Sequence, residues 1–121
     1  MRYVRLYADA AGESHFDEVT VDMRQVEYIP GKPPIDMSTP QAAAGALFGR
    51  VPAGWRGDSH PSPRRQLVVT LTGEVDITAS DGEVRRIGPG IACFIEDTTG
   101  KGHSTETIGK TDWSVVVVAL A

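Results

Sequence analysis

Apolar and polar residues alternate at period two along much of this chain, and the three-to-four spacing of an amphipathic helix is hard to find anywhere in it. Tyr3 to Tyr7 reads YVRLY, aromatic or aliphatic residues alternating with basic ones, and predicts a short strand before the polar turn Asp9 to Ser14. From Phe16 to Tyr28, Val19, Val21 and Met23 keep one phase while Val26 and Tyr28 keep the other. That slip predicts one strand with a bulge or two short pieces. Pro30, Pro33, Pro34 and Pro40 remove donors and fix φ, so 29–40 is predicted to be a surface connection. Gln41 to Ala46 is alanine-rich but uncapped and reads as the run-in to a strand from Ala44 to Val51. Leu67 to Leu71 and Glu74 to Ala79, separated by Thr72-Gly73, predict a hairpin. Ser80-Asp81-Gly82 and Gly88-Pro89-Gly90 are further turn signals around a strand from Glu83 to Ile87. Ile91 to Ile95 is apolar on both faces and predicts a buried strand. Glu96 to Gly102 is a polar loop, and His103 to Ile108 and Ser114 to Leu120 complete about nine or ten strands. The fold class is all-β, a sandwich or barrel.

Composition narrows the function classes. At 121 residues the chain is long enough for one domain with its own core, and too short for two. A formal charge of −4 with scattered Lys and Arg offers no basic face, so nucleic acid is not an expected partner. The one cysteine, Cys93, cannot form an internal disulfide. It stands in an apolar strand as a core residue, and a cytoplasmic location is the expectation. The N-terminus has no continuous apolar stretch of a signal peptide, and the run Val115 to Ala121 is far short of the roughly 20 residues that span a bilayer, so no membrane partner is expected.

The middle of the chain carries a spacing pattern. Gly54 is followed by five residues, His60, Pro61 and Ser62, then three residues, Gln66, six residues and Gly73. Further on, Gly90 is followed by five residues and Glu96, then by Gly100, two residues, His103, three residues and Thr107. These frames resemble the two cupin motifs. In the first, Ser62 stands where the family has its second histidine and Gln66 where it has a glutamate. In the second, Glu96 replaces a proline, two residues are inserted, and Thr107 takes the asparagine position. Without the insertion Lys101 would take the histidine position in place of His103. The segment EDTTGKGH also resembles a group of small single-domain bacterial cupin proteins.

The resemblance implies a double-stranded β-helix, a jelly-roll barrel with its functional residues at the mouth. The strands of 1–53 would flank it, and the two motifs would occupy 54–107. It also implies a homodimer paired through N-terminal strands, for which YVRLY is the candidate. On an extended segment His60 and Ser62 would face the same way, into the barrel. His60, His103 and Gln66 are the candidate catalytic groups. The histidines would transfer protons near neutral pH, and Gln66 would hold a carbonyl or developing oxyanion. Ser62, Arg64, Lys101 and Trp55 are candidate substrate contacts, the cations as carboxylate anchors. His15, beside Glu13 and Asp17, reads as a solvated histidine, and Trp113 as a packing residue.

A typical family site offers three imidazoles and a carboxylate to a metal. Two imidazoles and a carboxamide make a much poorer set, so the cofactor expectation is either none or a divalent transition metal held by His60, Gln66 and His103, with Glu96 or Asp97 as supplementary ligands. The leading functional expectation is a single-domain cupin that binds a small polar or anionic metabolite, with non-redox acid–base chemistry of the isomerase or lyase type. The alternatives are a metal-dependent dioxygenase or isomerase and a non-catalytic ligand-binding or sensory module.

Overall fold

A computed structural model describes residues 1–121 and contains strands and turns only. The strands are β1 (Arg2–Ala8), β2 (Ser14–Thr20), β3 (Met23–Val26), β4 (Ile35–Ser38), β5 (Ala43–Val51), β6 (Arg56–His60), β7 (Gln66–Thr72), β8 (Glu74–Ala79), β9 (Val84–Ile87), β10 (Ala92–Ile95), β11 (His103–Ile108) and β12 (Trp113–Leu120). Two sheets face each other, one of six strands in the order β2-β1-β10-β7-β12-β5 and one of four in the order β6-β11-β8-β9. Period-two alternation aims one side of each strand at the space between the sheets. The larger sheet sends in Val4, Leu6, Phe16, Val68, Cys93, Ile95, Trp113 and Val115, and the smaller one Val75, Ile77, Ala79 and Ile87. The all-β jelly-roll expectation holds.

Three local expectations do not. Residues 29–40 are not only connection, because Ile35–Ser38 pairs antiparallel with Met23–Val26 in a two-stranded sheet of its own; Pro30, Pro33 and Pro34 fall in the bend before it and leave it free to pair. Thr72-Gly73 does not close a hairpin. β7 pairs with β10 and β12 while β8 pairs with β11 and β9, so Gly73 is the corner at which the chain passes from one sheet to the other. Its φ of +79° and the adjacent Asp112 carbonyl, which a Cβ would strike, make glycine necessary there. Finally, β1 lies between β2 and β10, with both edges hydrogen-bonded. It cannot pair across a two-fold axis, and β1, β2 and β5 are half of the larger sheet as well as its flank.

One end of the barrel is stitched by polar contacts. The two ring nitrogens of His15 lie 2.8 Å from Asp9 and 2.8 Å from Asp81, joining the β1–β2 and β8–β9 turns. Lys101 Nζ meets Glu13 at 2.6 Å, its backbone N–H donates to Gly12, and the Ser14 hydroxyl donates to the Gly102 carbonyl at 2.7 Å. His15 is therefore a clasp and not a free solvated histidine. Hydrogen bonds to Asp9 and then Asp81 raise its pKa above the ordinary 6.5; the His15 contact in turn lowers that of Asp9, and the Glu83 backbone N–H followed by His15 lowers that of Asp81. A raised folded pKa means that the stabilisation is complete below pH 6.5 and is lost as pH rises through the folded value. The melting-temperature difference between wild type and His15→Gln is accordingly expected to be largest near pH 6 and to shrink steadily in a series climbing into the alkaline range. A difference that grew with pH would contradict the clasp.

Cys93 is fully buried in β10, and that burial pushes its thiol up to about 12, the nearby Asp97 carboxylate adding to the effect. The native protein should leave a thiol reagent at pH 8 unreacted and consume one equivalent once unfolded in urea. No helix is long and apolar enough to cross a membrane.

Candidate functional site

Register brings the two motif histidines together. β6 and β11 are antiparallel neighbours in the smaller sheet, His60 stands directly opposite His103, and their rings are 5.3 Å apart between centroids. Gln66 opens β7 in the facing sheet. All three line one cavity of about 320 Å3, whose walls are Val68, Ile77, Ile95, Val115, Val117 and Trp113 and whose mouth holds Trp55 and Thr105. The site is thus a largely apolar barrel interior whose lining also carries His60, His103, Gln66, Trp55, Thr105 and Arg50. A larger hollow of about 540 Å3 lies over the outer face near Tyr3, Phe94 and residues 38–41, but no histidine reaches it.

His103 is oriented by a residue that no motif position marks. Its Nδ1 donates to Asp97 Oδ2 at 2.6 Å; Asp97 is completely buried and His103 only 5% exposed. With Nδ1 so engaged, Nε2 is the free ring nitrogen. The other carboxyl oxygen, Oδ1, has no hydrogen-bond partner, which is rare for a buried carboxyl and makes the His103 contact its sole compensation. The loop is held in turn by the Ser62 N–H, which donates to the Asp97 carbonyl at 2.9 Å. His60 is arranged in parallel fashion, its Nδ1 2.8 Å from the Pro61 carbonyl, so its Nε2 is also the free one. The signal for Asp97 in the sequence was an acid six residues before His103 in a glycine-containing loop, which is too common a pattern to single out.

Of the other sequence candidates, Trp55 lies in the cavity wall and three do not. Ser62 is buried outside it, its hydroxyl donating to the Arg64 carbonyl at 2.7 Å. Alternation predicted that it would share a face with His60, but β6 ends at His60 and the chain bends through Pro61 to Arg64. Arg64 is exposed and not part of the lining. Lys101 points away to Glu13, which leaves His103 as the residue at the second-motif position in the cavity. Thr107 is structural, its hydroxyl donating to the Pro52 carbonyl at 3.0 Å.

The donor set can be compared with what a divalent metal requires. No group of three or more His, Cys, Asp or Glu side chains is disposed to hold a metal ion. Asp97 is committed to Nδ1 of His103, on the far side of the ring from the free nitrogen, and Glu96 lies 3.5 Å from Arg65. Two imidazole nitrogens and a carboxamide do not compensate a buried dication, so the residues present do not fit a resident metal.

No protein-family model and no curated protein matches the sequence. Solved structures do match the fold. The cupin domain of Schizosaccharomyces pombe Cnp3 aligns over 89% of this chain and 73% of that one, at 15% identity and a TM-score of 0.52. A conserved protein of unknown function from Streptococcus pyogenes aligns over 69% and 70%, at 21% identity and a TM-score of 0.50. The barrel of this chain is a cupin fold, as its glycine spacing implied.

Proposed function

We propose that this cupin-fold barrel binds a small, largely apolar molecule bearing one carbonyl or hydroxyl group, and moves a proton on it without a resident metal. The observation that carries this reading is the buried 2.6 Å contact that fixes the His103 tautomer, opposite His60 and facing Gln66. The apolar character follows from the lining. Arg64 and Lys101, the expected anchors for a carboxylate, are outside the cavity; its walls are mostly aliphatic, and Arg50 is the one lysine or arginine that reaches its lining.

The chemistry open to these groups is enolisation. With Nδ1–H held by Asp97, Nε2 of His103 takes a proton from the carbon next to the carbonyl. The C–H electron pair moves into the new C=C bond as the carbonyl π pair moves onto oxygen, where a Gln66 N–H receives the developing charge. The imidazolium returns the proton to either end of the enolate, giving exchange or isomerisation, and His60 is placed to exchange a proton with the oxygen. The reading is tested by incubating the protein with cyclohexanone in D2O and following deuterium at the α-carbon. Incorporation above buffer that disappears in His103→Ala supports it. No incorporation with wild type, together with a near-stoichiometric transition metal in protein purified without chelator and lost in His60→Ala, would return the metal-dependent reading. Binding of cyclohexanone with neither exchange nor metal would favour a non-catalytic binding module.

A homodimer belongs to the same proposal, built on surfaces other than β1. The β3–β4 hairpin pairs with no other strand, and an isolated two-stranded sheet is marginal in water. It carries exposed Tyr28, Ile29 and Ile35, while Phe48, 82% exposed, and Leu71 lie bare on the barrel. A second copy of the chain has both the arm and the apolar surface to cover these. Sedimentation at micromolar concentration should give a dimer for wild type and a monomer for Phe48→Glu; a wild-type monomer would sink this part of the reading.

A further inference from the structure

The glycine at position 57 has no backbone reason to be one. Its φ is not positive, and it sits within β6 in register with Thr105, where most residues would serve. The reason is Trp55. A Cβ on Gly57 would collide with the six-membered ring of the indole, Cη2 first, and would lie 3.2 Å even from Cζ2. The indole therefore occupies the volume that a side chain at Gly57 would fill, next to the histidines at the cavity mouth.

The main chain that carries this indole is fixed. Trp55 N–H donates to the Pro52 carbonyl at 3.1 Å, and the Trp55 carbonyl accepts from the Thr107 N–H at 3.0 Å and from its hydroxyl at 3.2 Å. The Ala53 N–H donates to Asp112 at 2.9 Å. The side chain itself is 41% exposed, and the structure records no hydrogen bond from its N–H. The result is an aromatic ring on a fixed main chain, its surface not consumed by packing. Trp113, deeper in the same cavity, is the contrast: it is buried, and its N–H donates to Thr70 at 2.9 Å.

Resting on the reading of the cavity as a ligand site, we propose that Trp55, seated on Gly57, is a stacking surface that selects flat, unsaturated molecules over saturated ones of equal size. The ligand lies with its π face against the indole and turns its oxygen toward His60, His103 and Gln66. Gly57 sets the choice because it lets the indole lie against the strand and leave the mouth open. Alanine there pushes the far edge of the indole outward, a movement a flexible side chain can make without unfolding the barrel.

Phenol and cyclohexanol test this, having the same ring size and a single hydroxyl but differing in flatness. In titrations followed by the indole N–H resonances, phenol is expected to bind about tenfold more tightly than cyclohexanol, the scale of one aromatic contact, and to shift the Trp55 signal. Trp55→Leu should erase that preference, and Gly57→Ala should reduce it without lowering the melting temperature greatly. Equal binding of the two compounds to wild type, or a preference that survives Trp55→Leu, would overturn the stacking role and leave the cavity reading standing. Failure of both compounds to bind would overturn the two together.

Discussion

Gly102→Ala is expected to destabilise the protein by about 3–5 kcal/mol, the range of the few single substitutions that damage a backbone packing site. Two costs add. The residue has a φ of +73°, which side chains resist, and an added Cβ would overlap the carbonyl carbon and oxygen of His60 and the nitrogen of Pro61. Those are main-chain atoms of a neighbouring segment and cannot step aside as a side-chain tip would. The comparison is Gly82→Ala, where φ is +94° but nothing lies within 4 Å of the new atom. Only the conformational cost of about 1–2 kcal/mol remains there. Urea unfolding of the two variants should show a large midpoint shift, or no folding at all, for Gly102→Ala and a modest shift for Gly82→Ala. Equal shifts would mean that the contact with His60 is not as close as the structure has it. Because the collision is with the residue that carries a catalytic candidate, any folded Gly102→Ala protein should also bind cavity ligands less well.

The second large effect is at the buried pair. His103→Leu would leave Asp97 with neither carboxyl oxygen paired at a position with no solvent access, and is expected to cost about 3–5 kcal/mol. Adding Asp97→Asn to the same chain removes the carboxyl that cannot be compensated. The double variant should therefore be more stable than His103→Leu alone, although it carries more substitutions. A double-mutant cycle by denaturant unfolding reads this directly. Additive penalties would show that the 2.6 Å contact is energetically slack and would weaken the argument that Asp97 orients His103. Asp97→Asn alone keeps the shape of the side chain but offers an amide that can turn its N–H to the ring. Its main consequence should be loss of α-proton exchange with little change in cavity binding.

The clearest limit of sequence reading here is the pair β7 and β8. Both strands were visible in the pattern, and so was the glycine between them, but a hairpin and a corner between sheets place the same demand on Gly73. What separates them is the set of distant partners, β10 and β12 for one strand and β11 and β9 for the other. Ser62 illustrates a shorter-range version. Period two extends only as far as the strand does, and Pro61 and Pro63 lie where the strand has already ended.

Residue order by itself determined the strand content, the positions of most turns and the glycine spacing; the convergence of His60, Gln66 and His103 was implied by the resemblance to the cupin motifs and is produced by sheet register. The first three depend on alternation or on local backbone freedom, which neighbouring residues encode. Tertiary structure alone decided that Lys101 turns away to Glu13, 88 positions distant, that Asp97 turns inward to His103, and that the Trp55 indole takes the space left by Gly57. Those outcomes are set by sheet register and by which side of a loop faces the barrel. They arise only when segments far apart in the chain are brought to within a few ångströms.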